Sequence, residues 1–160
     1  MTKLVTIKEM AEKIESLKRQ DQVVGLAHGC FDFIHFGHIL HFKSAKKLCD
    51  ILVVSLTSEE FISKGENRPF YNNKQRVEFL SEISSIDYLI INQDSDAVEL
   101  LEKLKPSLYI KGQDYKNFED DKTGKIKLEK QSVEKNNGKL VFTEDKKLSS
   151  SEILKKFNLS

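Results

Sequence analysis

All four histidines of this 160-residue chain fall between His28 and His41. The segment that opens the cluster reads His28-Gly29-Cys30-Phe31-Asp32-Phe33-Ile34-His35-Phe36-Gly37-His38. His35 and His38 are spaced to share one helical turn, with Gly37 between them. An imidazole, neutral or protonated, donates to a phosphate oxygen, and near neutral pH it does so without a permanently buried charge. A glycine at that turn lets a phosphate come close to the backbone. Neither the dinucleotide fingerprint G-x-G-x-x-G nor the Walker A loop G-x-x-x-x-G-K-[ST] occurs, so the anion site is of another kind. Metal ligation is the competing use, because His35, His38 and His41 share a helical face. No cysteine pair or H-E-x-x-H completes a ligand set, and no metal-binding residues are expected. Phe31, Phe33, Ile34 and Phe36 read as core. That explains the apolar positions but not two histidines and a glycine at one turn.

Such a turn needs elements that present a helix amino terminus to solvent, and the rest of the chain supplies them. Thr6 and Glu9 form a capping box before Ile7, Met10, Ala11, Ile14 and Leu17, which follow at helical spacing. Residues 23–27 read as a short buried strand ending in a turn at 28–30, followed by a helix over 37–48. Residues 51–56 are apolar at almost every position, as in a parallel strand covered on both faces. A polar loop over 63–71 leads to a helix opening at Asn72 or Asn73, with Val77, Leu80 and Ile83 on one side. A strand over 86–91, a helix over 97–104 and a strand over 107–110 come next. The polar stretch 112–125 precedes a helix ending near Asn137-Gly138, a C-cap signal. Residues 140–143 form the last strand, and Ser149 caps a final helix carrying Ile153, Leu154 and Phe157. This alternation predicts an α/β fold of one domain over residues 1–160: a doubly wound, Rossmann-like parallel sheet of about five strands in three αβα layers, with an N-terminal helix. Ligands of such sheets bind past the carboxyl ends of the strands, at the switch point, and the first strand-to-helix turn is where the histidines lie.

Composition removes several classes of partner. Hydrophobic residues make up 39% and charged residues 32%, and 26 Lys+Arg against 25 Asp+Glu leave a formal charge of +1. That balance fits neither a polybasic nucleic-acid binder nor a disordered acidic tail. No apolar run approaches the roughly 20 residues needed to span a bilayer, and the charged start MTKLVTIKEMAEK has no signal-peptide core, so no membrane partner is expected. Cys30 and Cys49, with no paired motif, fit a reducing compartment, and a cytoplasmic location is expected.

Gly29-Cys30-Phe31-Asp32 followed by His35-x-Gly37-His38 resembles the G-x-F-D and H-x-G-H signatures of the cytidylyltransferase-like nucleotidyltransferase superfamily. Four further blocks continue the resemblance: Arg68-Pro69 with Asn73-x-x-Arg76, Asp87-Tyr88, Lys111-Gly112-x-Asp114-Tyr115-Lys116, and Ser149-Ser150-Ser151. Their order is that of the adenylyltransferase domain of bacterial ADP-heptose synthases. The glycerol-phosphate cytidylyltransferase branch instead carries Arg-Thr-x-Gly-Ile-Ser-Thr-Thr before its last helix, where this chain has Glu144 to Ser151, lacking that arginine and threonine. The acceptor implied is therefore a sugar phosphate. Fused heptose enzymes carry a sugar-kinase domain as well, which 160 residues do not accommodate; a kinase step would then fall to another chain.

The resemblance implies a reaction in which a nucleoside triphosphate, ATP or CTP, is joined to a phosphorylated sugar such as heptose 1-phosphate, releasing pyrophosphate. By similarity, His35 and His38 stabilise charge on the α-phosphate, and Lys64 and Arg76 lie over the leaving pyrophosphate. Gly29, Cys30, Phe31, Asp32 and Gly37 surround the nucleotide, together with Asp87, Lys111, Gly112, Asp114 and Tyr115. Ser149, Ser150 and Ser151 open the last helix as a second anion site, and Arg68 meets the acceptor. His28 is a neighbour of the nucleotide and His41 scaffold, and Lys43, Lys46 and Lys47 form an ordinary solvated helix face. A divalent ion, Mg²⁺, held chiefly by phosphate oxygens and water, and a homodimer are further implications. Two alternatives stay open: a cytidylyltransferase for glycerol 3-phosphate or another small alcohol or amino-alcohol phosphate, and a non-catalytic nucleotide-binding module.

Overall fold

The computed structural model describes residues 3–116, 124–145 and 150–157. In chain order the elements are α1 (Ile7–Lys18), β1 (Val24–Gly29), α2 (Phe36–Lys46), β2 (Ile51–Thr57), α3 (Asn73–Ser81), β3 (Tyr88–Asn92), α4 (Val98–Leu104), β4 (Leu108–Lys111), α5 (Lys125–Lys135), β5 (Lys139–Phe142) and α6 (Ser150–Lys156). Short 3-10 turns follow β2 at Glu59–Phe61 and β4 at Gln113–Tyr115. The five strands form one sheet in the order β3-β2-β1-β4-β5, and every pairing is parallel. The chain winds outward from β1 through β2 to β3, then returns to β4 on the other side of β1. The switch point therefore lies between β1 and β4, as the predicted doubly wound fold requires.

Strand alternation sorts the side chains into two cores. β2 sends Leu52, Val54 and Leu56 to the face that also holds Phe42 and Ala45 of α2 and Leu80 of α3. Its Val53 turns the other way, joining Val24 and Leu26 of β1 beneath Met10 and Ile14 of α1, Leu100 and Leu101 of α4, and Val133 of α5. Each fully buried aliphatic side chain of this kind contributes about 1.5–3 kcal/mol relative to exposure. Because both faces are covered, a central strand reads as an unbroken apolar run rather than as an alternation.

The local signals at helix starts are realised. Thr6 accepts from the Glu9 N–H at 3.2 Å while Glu9 accepts from the Thr6 N–H at 2.8 Å. Asn72 and Gln75 make the same reciprocal pair at α3. Most boundaries fall within one or two residues of the sequence reading, and two differences affect how the chain is arranged. β1 continues through His28 and Gly29, which pair in register with Ser55 and Leu56, so the predicted turn begins two residues later. Ahead of α1, Leu4 bridges Leu89, and the Lys3 carbonyl and Val5 N–H bond the Leu89 backbone, so the leading segment covers the edge of β3. No helix among the described residues is long and apolar enough to cross a membrane.

Candidate functional site

A cleft of about 470 Å³ opens at the carboxyl ends of β1 and β4. Its first wall is the start of α2. His35 is the N-cap of that helix, its Nδ1 accepting the Gly37 N–H at 3.1 Å, and the Nδ1 of His38 accepts the His35 N–H at 3.2 Å. The two histidines thus reproduce a capping box, taking the parts usually played by Ser or Thr and by Glu. The arrangement fixes their chemistry. With each Nδ1 lone pair committed to an N–H, the proton of each neutral ring resides on Nε2, which is left as a donor. Burial, then the neighbouring His35 and His41, hold the His38 imidazole down to about 3. Burial likewise lowers His35, against the opposing pull of Asp32. The rings lie 4.0 Å apart between centroids, so the helix amino terminus presents a pair of neutral donors. Neutral donors and a helix dipole bind an anion without burying a fixed cation.

The turn between β1 and α2 holds this pair in place. Phe31 is 7% exposed and adopts a positive φ of 48°, uncommon for a bulky residue. Its ring meets His38 edge-on at 5.4 Å and folds over Gly29, where an added Cβ would stand 2.9 Å from the ring. Arg76 enforces the conformation from behind. Its guanidinium donates to the carbonyls of Cys30 at 2.6 Å and Thr57 at 2.7 Å and to the Asn73 side chain at 2.6 Å, tying the ends of β1 and β2 to α3.

Asp32, 2% exposed, gathers the polar loop that follows β2. Its carboxylate accepts from Arg68 Nε at 2.6 Å and from Lys64 Nζ at 3.4 Å, and Arg68 also stacks on Phe70. Burial by itself would push the Asp32 carboxyl up, but the two cations outweigh it and keep the group below its ordinary range.

The opposite wall comes from β4, α5 and the chain beyond β5. Lys111, 8% exposed, holds its ammonium 4.6 Å from the Tyr115 ring and 4.0 Å from the Glu129 carboxylate. Glu129 also accepts from Tyr109 Oη at 2.8 Å and from the Ala97 N–H at 3.0 Å. His28 lies on the cleft floor with its ring nitrogens beside Ser55 Oγ at 3.1 Å and Thr57 Oγ1 at 3.4 Å. Burial and then Lys111 bring it down to about 3. His41 bonds Thr143 at 2.9 Å, linking α2 to the end of β5.

The structure brings most of the sequence-derived residues to this cleft: His35, Gly37, His38, Gly29, Cys30, Phe31, Asp32, Lys64, Lys111, Gly112 and Tyr115 all line it. It redirects three. Arg76 is wholly buried and spends its bonds on backbone carbonyls, so it positions the β1–α2 turn and cannot lie over a leaving group. Arg68 reaches the cleft only through Asp32, its side chain being 11% exposed. Asp87 lies at the amino end of β3, where it accepts from the Leu52 N–H and Lys46 Nζ, both at 2.7 Å. It is on the wrong side of the sheet for nucleotide binding, and it takes Lys46 out of the solvated face. Ser149 lies outside the described residues, as do the side chains of Asp114, Ser150 and Ser151; the backbones of the last two open α6.

Sequence reasoning missed Glu129, Thr143 and Asp145, all of which line the cleft. Glu129 carried a readable signal: it shares a helical face with Ile126 and Val133, which are buried. Among the described residues no group of three or more His, Cys, Asp or Glu side chains is placed to hold a metal ion.

The family model described as cytidylyltransferase-like matches residues 26–156. Over 113 residues the chain is 38% identical to the bifunctional protein HldE of Campylobacter jejuni subsp. doylei, covering 69% of this chain and 24% of that protein. Over 108 residues it is 39% identical to the bifunctional protein HldE of Helicobacter pylori strain J99, covering 66% and 23%. The chain therefore spans about a quarter of the length of these curated relatives. The crystal structure of the lipopolysaccharide core biosynthesis protein from Thermoplasma volcanium superposes with a TM-score of 0.64 at 25% identity, covering 79% of this chain and 99% of that one. Pantoate-beta-alanine ligase from Francisella tularensis shares the fold alone, with a TM-score of 0.62 at 19% identity over 94% of this chain and 69% of that one.

Proposed function

Because the chain belongs to the cytidylyltransferase-like family of nucleotidyltransferases, we propose that it joins a nucleoside triphosphate, ATP or CTP, to a phosphorylated sugar such as heptose 1-phosphate. A phosphate oxygen of the acceptor attacks the α-phosphorus, the bond from that phosphorus to the bridging oxygen breaks, and pyrophosphate leaves with the electron pair. The observation that carries this reading is the pair of neutral Nε2–H donors of His35 and His38 at the amino terminus of α2. The attacking group is already anionic at neutral pH, so no strong general base is needed, and catalysis rests on positioning and stabilisation of in-line transfer. Lys64 and Lys111 add positive charge from opposite walls. The sugar-phosphate acceptor is supported by the likeness to HldE and to a protein named for lipopolysaccharide core biosynthesis.

Two of the carboxylates lining the cleft, Asp32 and Glu129, are committed to donors of the protein itself. That arrangement fits a Mg²⁺ ion held mainly by phosphate oxygens and water, where it would neutralise phosphate charge. Lys64, with 39% of its side chain exposed and a long bond to Asp32, is the cation freest to follow the phosphates.

The deciding experiment crosses ATP, CTP, GTP and UTP with heptose, hexose and polyol phosphates and reads pyrophosphate release. A sugar phosphate as the best acceptor supports the reading. Preference for glycerol 3-phosphate with CTP would replace it by an alditol cytidylyltransferase, and nucleotide binding without turnover on any acceptor by a binding module.

A further inference from the structure

The cleft is chemically two-ended. At the start of α2 it offers donors, the Nε2–H groups of His35 and His38. Nine residues further along the same helix, about 13 Å at 1.5 Å per residue, Ser44 donates to Asp145 Oδ1 at 2.5 Å. Asp145 lines the cleft just beyond β5, and the Gln113 side chain bonds its backbone carbonyl, so the residue is fixed both to α2 and to the turn after β4. Its other carboxylate oxygen, Oδ2, is shielded from bulk water and accepts no hydrogen bond among the described residues. A buried carboxylate oxygen without a donor is costly, and a ligand that fills the cleft can supply one. A nucleotide matches this polarity, with acceptors at its phosphate end and O–H and N–H donors on its nucleoside half.

We propose that Asp145 recognises the nucleoside half of the substrate, its unpaired oxygen accepting a hydrogen bond from a ribose hydroxyl or from the exocyclic amine of the base. The inference rests on the reading of the cleft as a nucleoside triphosphate site. It makes Asp145 a specificity-determining residue distinct from the phosphate-binding histidines.

Calorimetric titration, which needs no acceptor, tests it. Wild-type protein is titrated with ATP and CTP, then with 2′-deoxy-ATP, 3′-deoxy-ATP and purine riboside triphosphate, which lacks the 6-amino group. One of the three analogues should bind at least about tenfold more weakly than ATP, as expected for loss of a hydrogen bond to a charged group, and which one identifies the donor. Asp145→Asn, which keeps an oxygen for Ser44, should lose a similar factor for ATP and no longer distinguish that analogue. Asp145→Glu, which keeps the charge but moves the oxygen, should also lose the discrimination and serves if the asparagine variant does not fold. Unchanged analogue ratios in the variants, with ATP still bound, overturn the assignment while leaving the nucleotide reading intact. A change confined to the Mg²⁺ dependence of binding overturns it in favour of a metal ligand. Failure of wild-type protein to bind ATP or CTP removes the nucleotide reading and this inference with it.

Discussion

Asp32 and Asp87 are the same residue type, each beside a strand of one parallel sheet and each holding at least one cation, yet they do opposite work. Asp87 sits at the amino edge, where it accepts from the Leu52 N–H and from Lys46 and closes the fold on a partly exposed surface pair. Asp32 sits at the carboxyl edge, buried, gathering Lys64 and Arg68 beside a cleft. The difference lies in which ends of the strands they border. In a parallel sheet the carboxyl ends open onto loops that precede helix amino termini, so charge placed there faces an anion site. Charge at the amino ends meets helix carboxyl termini and is used for fastening.

The largest effect should separate the two edges in catalysis. His35→Ala and His38→Ala each remove one fixed donor and should slow pyrophosphate release about 10²–10³-fold, whereas Asp87→Asn should leave the rate near wild type. His35→Ala also removes an N-cap, worth about 1 kcal/mol in a chemical denaturation curve. Near-normal turnover in either histidine variant would erase the contrast. Arg76→Ala tests whether the carboxyl edge is braced from behind. It strands one buried and one partly buried carbonyl and should lower unfolding stability by about 3 kcal/mol, with residual activity showing a higher KM for nucleotide because the Phe31 turn is loosened.

Smaller effects come from the aspartates themselves. Asp32→Asn leaves Arg68 without its buried partner and should cost about 3 kcal/mol. Asp87→Asn should cost about 1 kcal/mol or less, the partly exposed pair being worth little. Equal losses in urea titrations would mean that the edges do not differ in the way described.

The pH dependence of stability sharpens the same comparison. His28 and His38 have folded-state values lowered to about 3, below the ordinary imidazole range. The unfolded chain therefore takes up protons first as the solution is acidified, and stability falls from about pH 6.5 downward. Asp32, whose folded value is also lowered, holds its contribution until the pH drops through the ordinary carboxylate range and below. His38→Gln should flatten the upper part of the curve and Asp32→Asn only the acid limb, as followed by urea midpoints between pH 7 and 3.

The order of elements was legible because it depends on local patterns. The Thr6–Glu9 box, the apolar run at β2 and the Asn72 cap all appear where the sequence places them. The carboxyl-edge histidines were legible for the same reason, since a histidine pair and a glycine on one turn are neighbours in sequence. What escaped depends on tertiary partners. Arg76 resembles a pyrophosphate-binding residue in sequence, and only the Cys30 and Thr57 carbonyls brought over it from the ends of separate strands show where its bonds go. Asp87 matches the family pattern, but its neighbours in sequence do not tell which edge of the sheet it borders. Glu129 gathers Ala97, ahead of α4, and Tyr109 and Lys111 of β4, which are distant from it in sequence. Asp145 differs from an ordinary loop aspartate only through the unpaired oxygen left by its packing.

The two cysteines carry a practical consequence. Cys30 lines the cleft beneath the histidine turn, while burial pushes the Cys49 thiol, packed against Gly25 near the amino end of β1, up to about 11. Thiolate is the reactive form, so at neutral pH Cys49 is nearly silent toward an alkylating reagent. The chain thus contains its own occupancy reporter: labelling at Cys30 should be protected when a nucleotide fills the cleft, with Cys49 in the same molecule adding little background.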